Sequence, residues 1–214
     1  MNNLEFTTTA ICGRPEILFQ TYNALQENIN IDLKKCILYI NIDKSPISKD
    51  YNSILDIANS FFGEVIYRFS NSSNFALALK WCWSNVKNKH FFNYEDDWLL
   101  TETIDLNILI DLLYSDDKVF AVNLRAYPFS YPKLCLLPSL YRKEYTDIFI
   151  NKIKPDYNPE RSLRDYIRGK SIYNLHYPDK IDKIILFDLG RKWMKEKGLR
   201  KNGMSKNFTY WCKK

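Results

Sequence analysis

Three consecutive acids, Glu95-Asp96-Asp97, follow the apolar run His90-Phe-Phe-Asn-Tyr94 and are followed at once by Trp98-Leu-Leu. Solvated acids ordinarily sit among polar loop residues. These are bracketed by residues that favour a core, so their carboxylates face low-dielectric surroundings. If strand geometry persists through them, Glu95 and Asp97 project to one side and Asp96 to the other. Two like charges on one side call for a cation, and carboxylate oxygens without a neighbouring Cys suit Mg2+ or Mn2+ better than structural Zn2+. The alternative is a strand end whose acids cap the next helix or pair with Lys and Arg.

The elements that must carry these acids are readable from periodicity. Leu4 to Ile11 is a β-rich run that stops at Cys12-Gly13-Arg14-Pro15, and Pro15 opens a helix with Leu18, Tyr22 and Leu25 at helical spacing. Cys36 to Ile42 is nearly continuous in apolar residues, as a strand covered on both faces must be, and it ends at Asp43. Ile54, Ile57, Ala58 and Phe61 predict a second helix, Glu64 to Phe69 a third strand, and Leu79, Cys82, Trp83 and Val86 a third helix after Asn71 to Asn74. The acids then end a fourth strand. Such alternation predicts an α/β fold, a mostly parallel central sheet with helices on both faces, in which ligands bind beyond the carboxyl ends of the strands. The residues at those ends are Thr8, Thr9, Asp43, Asn74 and the three acids.

Beyond the acids, Ile104 to Tyr114 reads as a helix and Val119 to Leu124 as a fifth strand. Arg125 to Pro132 is aromatic and punctuated by proline, as a substrate-contacting loop or a core-covering one would be. Asn158-Pro159-Glu160 is a helix start, with Asn as cap, Pro at the first position and an acid in the first turn. Ile184 to Phe187 leads into a basic helix from Asp188 towards Lys201, closed by Gly198.

Composition narrows the function classes. The chain has 214 residues with 46% hydrophobic and 15% aromatic content, enough for one cored domain with a small C-terminal extension. Only 6 glycines occur, and no Gly-rich phosphate loop is present. A formal charge of +6 favours an anionic partner: a nucleotide, a phosphorylated lipid, an acidic glycan or nucleic acid. Lys and Arg are spread along the chain, so no nucleic-acid tract is defined and no nucleic-acid partner is expected. The five cysteines, Cys12, Cys36, Cys82, Cys135 and Cys212, form no C-x-x-C pair and fit reduced, buried thiols. Without a signal-like N-terminus or an apolar run of membrane-span length, the expected location is the cytoplasm, with peripheral membrane association left open.

In order, the segments Thr8-Thr-Ala-Ile-Cys-Gly-Arg-Pro-Glu16, Asn41-Ile-Asp-Lys-Ser45, Asn74-Phe-Ala-Leu-Ala-Leu-Lys80 and Glu95-Asp96-Asp97 resemble the nucleotide-sugar-dependent glycosyltransferases of the GT-A fold, in small, single-domain, family-2-like form. Leu137-Pro-Ser-Leu-Tyr-Arg-Lys143, Asn158-Pro-Glu160 and Asp188-Leu-Gly-Arg-Lys-Trp193 extend the resemblance. It implies a single domain over 1–214, with a nucleotide-binding half (1–100) and an acceptor-binding half with the basic helix (101–214). The reaction it implies is transfer of a sugar from a nucleoside-diphosphate sugar to a hydroxyl of a glycan, lipid-linked sugar or protein, with Mn2+ or Mg2+.

The resemblance also implies roles. Asp97 would be the direct metal ligand on the donor diphosphate, with Glu95 or Asp96 contacting ribose or metal-bound water; the motif is Glu-Asp-Asp rather than Asp-x-Asp. Thr8, Thr9 and Arg14 would hold the nucleotide and Asp43 the base. His176 is the candidate C-terminal metal ligand, against a structural role, and His90 is left structural. Glu160, with Asp165 in reserve, would be the base of an inverting reaction. Arg191, Lys195 and Lys201 are cations available to the leaving diphosphate, although Lys195 suits a solvated helix face better. Trp98, Tyr127, Phe129 and Tyr131 are aromatic candidates for stacking on sugar. A nucleotidyltransferase shares strand-end acids and metal, and a non-catalytic nucleotide- or glycan-binding module shares the fold.

Overall fold

The computed structural model describes residues 4–127, 134–202 and 210–213, with side chains described as far as residue 199. The first half follows the periodicity. Strand β1 (Glu5–Ile11) leads to α1 (Pro15–Asn28), β2 (Ile37–Asp43) to α2 (Tyr51–Phe61), and β3 (Glu64–Ser70) to α3 (Phe75–Asn85). Then come β4 (His90–Asn93), β5 (Trp98–Leu100), α4 (Leu106–Leu113) and β6 (Val119–Leu124). The second half contains β7 (Ser139–Arg142), α5 (Lys143–Ile150), α6 (Pro159–Ile167), β8 (Tyr173–Tyr177), β9 (Leu186–Asp188), α7 (Gly190–Glu196), β10 (Leu199–Asn202) and β11 (Tyr210–Lys213).

Seven strands form the central sheet in the order β3-β2-β1-β4-β7-β6-β8. β7 runs antiparallel to both of its neighbours, and the other pairings are parallel. The carboxyl ends of six strands therefore share one edge. Alternation along the strands divides the core. Phe6, Leu38, Ile40, Phe92 and Val122 pack on the face covered by α1, α2 and α4, with Leu18, Tyr22, Leu25, Ile54 and Leu109. Tyr39, Phe91, Ala121 and Tyr141 face the opposite way, towards Trp83 of α3, Phe149 of α5 and Leu163 of α6. Both faces are apolar, which is why the central strands read as continuous hydrophobic runs.

Local chemistry sets the helix starts. Asp50, Asn74, Asp105 and Asn158 each accept a backbone N–H of the first turn of α2, α3, α4 and α6. The basic helix is shorter than its sequence suggests: α7 ends at Glu196, Gly198 adopts φ 61°, and residues 199–202 pair with 210–213 as an antiparallel ribbon. Among the described residues no helix is long and apolar enough to cross a membrane.

The strand carrying the acids also ends early. β4 stops at Asn93, and Asp96 and Asp97 lie in a turn before β5. Strand alternation therefore does not sort the three acids. β5 pairs antiparallel with β9, Trp98 opposite Asp188, so this small ribbon delivers the start of α7 to the turn.

Candidate functional site

The acids meet a cation from their own chain. Arg14, 2% exposed at the start of α1, donates through Nη2 to Asp96 Oδ1 at 2.5 Å, through Nε to Asp96 Oδ2 at 3.0 Å and through Nη1 to Asp97 Oδ2 at 2.9 Å. Ile11 N–H completes the shell of Asp96 at 3.1 Å. The guanidinium also lies 5.6 Å from the centroid of the Trp193 ring of α7. Burial alone would lower the pKa of Arg14, but Asp96 and Asp97 outweigh it and drive the pKa upward, so the guanidinium stays charged. Burial pushes the Asp96 carboxyl above its ordinary value and Arg14 opposes that rise.

Backbone proximity fixes the third wall. Leu189 N–H donates to Asp97 O at 2.9 Å, and a Cβ on Gly190 would lie 2.1 Å from Asp97 Oδ2 and 2.9 Å from Arg14 Nη1. Only glycine lets the α7 backbone come this close. Glu95 turns elsewhere, its Oε2 accepting from Trp98 Nε1 at 3.2 Å. Trp98 is 6% exposed and belongs to the core.

A second polar cluster sits at the ends of β2 and β3. Asp43, 5% exposed, accepts from Asn41 Nδ2 at 2.8 Å and from Asn74 N–H at 3.1 Å. Arg68 Nε and Ser70 Oγ both donate to Asn41 Oδ1, orienting that amide. Burial raises the Asp43 carboxyl to about 6, against the lowering effect of these hydrogen bonds. Asn74 is used at every polar group: its Oδ1 caps α3 by accepting from Leu77 N–H, and its Nδ2 donates to Pro155 O. Thr8 faces inward, donating to Tyr94 O at 2.7 Å and accepting from Tyr22, whereas Thr9 is half-buried opposite Asn41.

The structure separates the remaining candidates. Glu160 lies under the segment that begins at Leu134: its Oε1 accepts from Leu136 N–H at 2.9 Å and from Cys135 Sγ at 3.6 Å, and its Oε2 lies 3.4 Å from Arg164 Nη2. The Cys135 thiol is pushed up to about 12, first by burial and then by Glu160, with Glu95 adding to the rise. Glu95 and Glu160 thus act on one thiol. Asp165 is ion-paired with Arg168 at 3.1 Å. Arg191 pairs with Asp188 at 2.7 Å and donates to Tyr127 Oη at 2.8 Å. Lys195 is on the exposed side of α7. Phe129, Tyr131 and Cys212 fall outside the described residues or side chains, as does the Lys201 side chain, whose backbone belongs to β10 rather than to the basic helix.

His176 stands on β8 opposite Asn123, half-buried, its pKa lowered by burial and then by Arg125, so the ring is neutral at pH 7. Three strand spacings, roughly 14 Å at about 4.8 Å each, separate β8 from β4. Among the described residues no three His, Cys, Asp or Glu side chains come close enough to share a metal. A cation held jointly with a ligand needs fewer protein groups, since Mg2+ commonly takes one or two protein carboxylates and fills its shell with phosphate and water oxygens. Asp97 and Glu95 have the right donor chemistry for it. Asp96 has both oxygens committed within the protein.

Sequence reasoning allowed that the acids pair with Lys or Arg but assigned Arg14 to the nucleotide and did not single it out as their partner; it missed Gly190 and the Asn41–Arg68–Ser70 support of Asp43. The clamp had one available signal, a lone arginine in the Gly13-Arg14-Pro15 turn of a chain with unpaired acids. No sequence signal gives Gly190, because its constraint comes from a contact between segments 93 residues apart, the difference between positions 190 and 97.

No family model matches the chain, and no curated protein matches it in sequence. Solved structures do. A mannosyltransferase, PcManGT from Pyrobaculum calidifontis in complex with GDP-Man and Mn2+, superposes with TM-score 0.58 at 12% identity over 84% of this chain and 56% of that one. A cytidylyltransferase from Leptospira borgpetersenii gives 0.55 at 10% identity over 92% and 86%, and S. aureus TarS gives 0.56 at 10% over 86% and 36%. The chain spans little more than half of the mannosyltransferase and about a third of TarS. At these identities the likeness concerns the fold, and that fold is an α/β, GT-A-like one.

Proposed function

We propose that the protein is a divalent-metal-dependent glycosyltransferase, moving a sugar from a nucleoside-diphosphate sugar to a hydroxyl of a glycan, lipid-linked sugar or protein. The observation that carries this reading is the pair of buried charged clusters on one sheet edge: Asp43 with its amide support, and the Asp96–Arg14–Asp97 clamp. The mannosyltransferase complex with GDP-Man and Mn2+ supports the choice of ligand class.

In this reading Asp43 accepts an N–H of the nucleobase, and Asn41 and Asn74 hold its oxygens in place. Arg14 fixes the turn so that Asp97 is presented to the diphosphate side, with Glu95 beside Trp98, while Asp96 serves as the anchor. Asp97, with Glu95, would hold the divalent cation, which when bound supplies positive charge to the leaving diphosphate. His176 is assigned no ligand role. Arg191, at the start of α7 and oriented by Asp188 and Tyr127, would pair with phosphate oxygens in this reading. Glu160 is the general base: Leu136 N–H fixes one oxygen, and the other, with only a long contact to Arg164, takes the proton of the acceptor hydroxyl as its oxygen attacks the sugar. A base of this kind acting in a single displacement inverts the sugar.

The test is calorimetry with a panel of UDP and GDP sugars, with and without Mn2+. Binding should be tighter with Mn2+, and Asp97→Ala should abolish that difference; unchanged metal dependence removes Asp97 from its role. Glu160→Gln should retain donor binding while transfer falls by at least about a hundredfold, the size of a general-base contribution. The cytidylyltransferase likeness favours a second reading, nucleotidyl transfer. Consumption of a nucleoside triphosphate, with no cleavage of nucleotide sugars, would select it.

A further inference from the structure

A cleft of about 440 Å³ opens beside the start of α6, lined by Lys152, Lys154, Tyr157, Ser162, Asp165 and Tyr166. Its wall is tied to the Asp43 cluster, because Asn74, whose N–H donates to Asp43, donates through Nδ2 to Pro155 O at 3.0 Å. Three features of the lining point to a ligand. The first is positive charge: Lys152 and Lys154 are exposed on the turn after α5, and the ammonium groups of Lys152 and Lys170 both lie against the Tyr166 ring, 5.3 and 4.6 Å from its centroid. Asp165 in the lining is already paired with Arg168, so it subtracts little from that field. The second is Tyr157, a ring surface of the kind that packs on the apolar face of a sugar.

The third feature is Ser162. It is 7% exposed, it lines the cleft, and its Oγ has no hydrogen-bond partner in the protein. A buried hydroxyl left unsatisfied costs roughly 1–3 kcal/mol, and native folds leave few of them. Rotation about its single side-chain torsion would bring this buried Oγ to a ligand oxygen in the cleft. Ammonium groups, a hydroxyl donor and an aromatic face around one cleft match a phosphate carried on a sugar ring.

We infer that this cleft is a binding site for a phosphorylated sugar. That the occupant is the acceptor rests on the glycosyltransferase reading; that the cleft binds a sugar phosphate does not. The lysines hold the phosphate, Ser162 donates to one of its oxygens, Tyr157 packs on the ring, and Tyr166 keeps the ammonium groups in place.

The experiment is calorimetric titration of the full chain with glucose 6-phosphate, inorganic phosphate and glucose, at low and at moderate salt. Glucose 6-phosphate should bind at least tenfold more tightly than either part alone, and more weakly at higher salt. The exposed charge reversal Lys154→Glu should weaken it at least tenfold, and Ser162→Ala several-fold, with thermal unfolding checking that both variants fold. Should Ser162→Ala prove unfolded, Lys154→Glu together with Lys152→Gln decides the matter. Equal binding of glucose and glucose 6-phosphate, or binding unchanged by Lys154→Glu, overturns the site. If sugar-phosphate binding survives while no nucleotide sugar is bound or cleaved, the cleft stands and the transferase reading falls.

Discussion

Replacing Arg14 by Met isolates the contribution of the clamp. Methionine has similar reach and no charge, so the change removes three hydrogen bonds, two to Asp96 and one to Asp97, and leaves the apolar stem against Trp193. Asp96 is 2% exposed and would keep only Ile11 N–H among its present partners on those oxygens. Breaking one side of a buried ion pair costs about 3–5 kcal/mol, because the surviving charge stays desolvated. For a chain of this size, at about 2–4 °C per kcal/mol, the midpoint of thermal unfolding should fall by about 10 °C. The loss should also depend on pH. In the variant, burial, helped by Asp97 and opposed only by the Ile11 N–H bond, holds the Asp96 pKa above its unfolded value, so the folded state binds a proton that the unfolded state releases. Stability of the variant therefore decreases as pH rises through and above the ordinary carboxylate range, and the deficit narrows in acid. Urea unfolding at pH 5 and pH 7.5 measures this. Adding Asp96→Asn to Arg14→Met should recover much of the loss, with a coupling of a few kcal/mol in the double-mutant cycle. A loss under about 1 kcal/mol, or simple additivity of the two changes, would refute a clamp that acts through paired burial.

Two further changes probe the same edge. Asp43 must be ionised to accept from a base, and its pKa is raised to about 6, so nucleotide-sugar affinity should be flat above pH 7 and about tenfold weaker at pH 5. Asp43→Asn should bind weakly with no such pH dependence; a persisting profile assigns it to another group. The raised pKa also means that ionised Asp43 opposes folding, by an amount that grows from pH 4 towards pH 6, so the Asn variant should lose less stability between those pH values than the parent. Gly190→Ala drives a methyl into Asp97 Oδ2 and Arg14 Nη1. Overpacking of that kind costs about 1–3 kcal/mol, and Mn2+-dependent donor binding should suffer at least tenfold; wild-type binding would show that Asp97 is free to move without consequence.

The chain's local chemistry made half of the molecule legible in advance. Periodicity located β1 to β4 and the three helices between them, because amphipathic spacing and doubly covered strands are properties of short segments. Asn158-Pro159-Glu160 marked the start of α6 by capping alone, and the apolar setting of Glu95 to Asp97 marked a place where charge is buried. Residues 139–188 were harder. β7 runs antiparallel inside a parallel sheet, α5 follows it without a break, and β8 is half-buried throughout, so none displays a clean period. Lys201 was assigned to a helix because its basic surroundings favour one, yet pairing between 199–202 and 210–213 places it in a ribbon.

Partnership among the charges belongs to the tertiary structure. Composition and spacing establish that three acids lie where an apolar chain must carry them to the edge of a sheet. Whether those acids receive a metal, a lysine or an arginine depends on which segments the fold brings within about 3 Å, and that is set by packing across long sequence separations. The β5–β9 ribbon brings Gly190 to Asp97, and β1 delivers Arg14 to Asp96 through the turn that follows it. The sequence by itself determined that charge would be buried here; only the folded chain decided that Arg14 joins Asp96 and Asp97 while Glu95 accepts from Trp98.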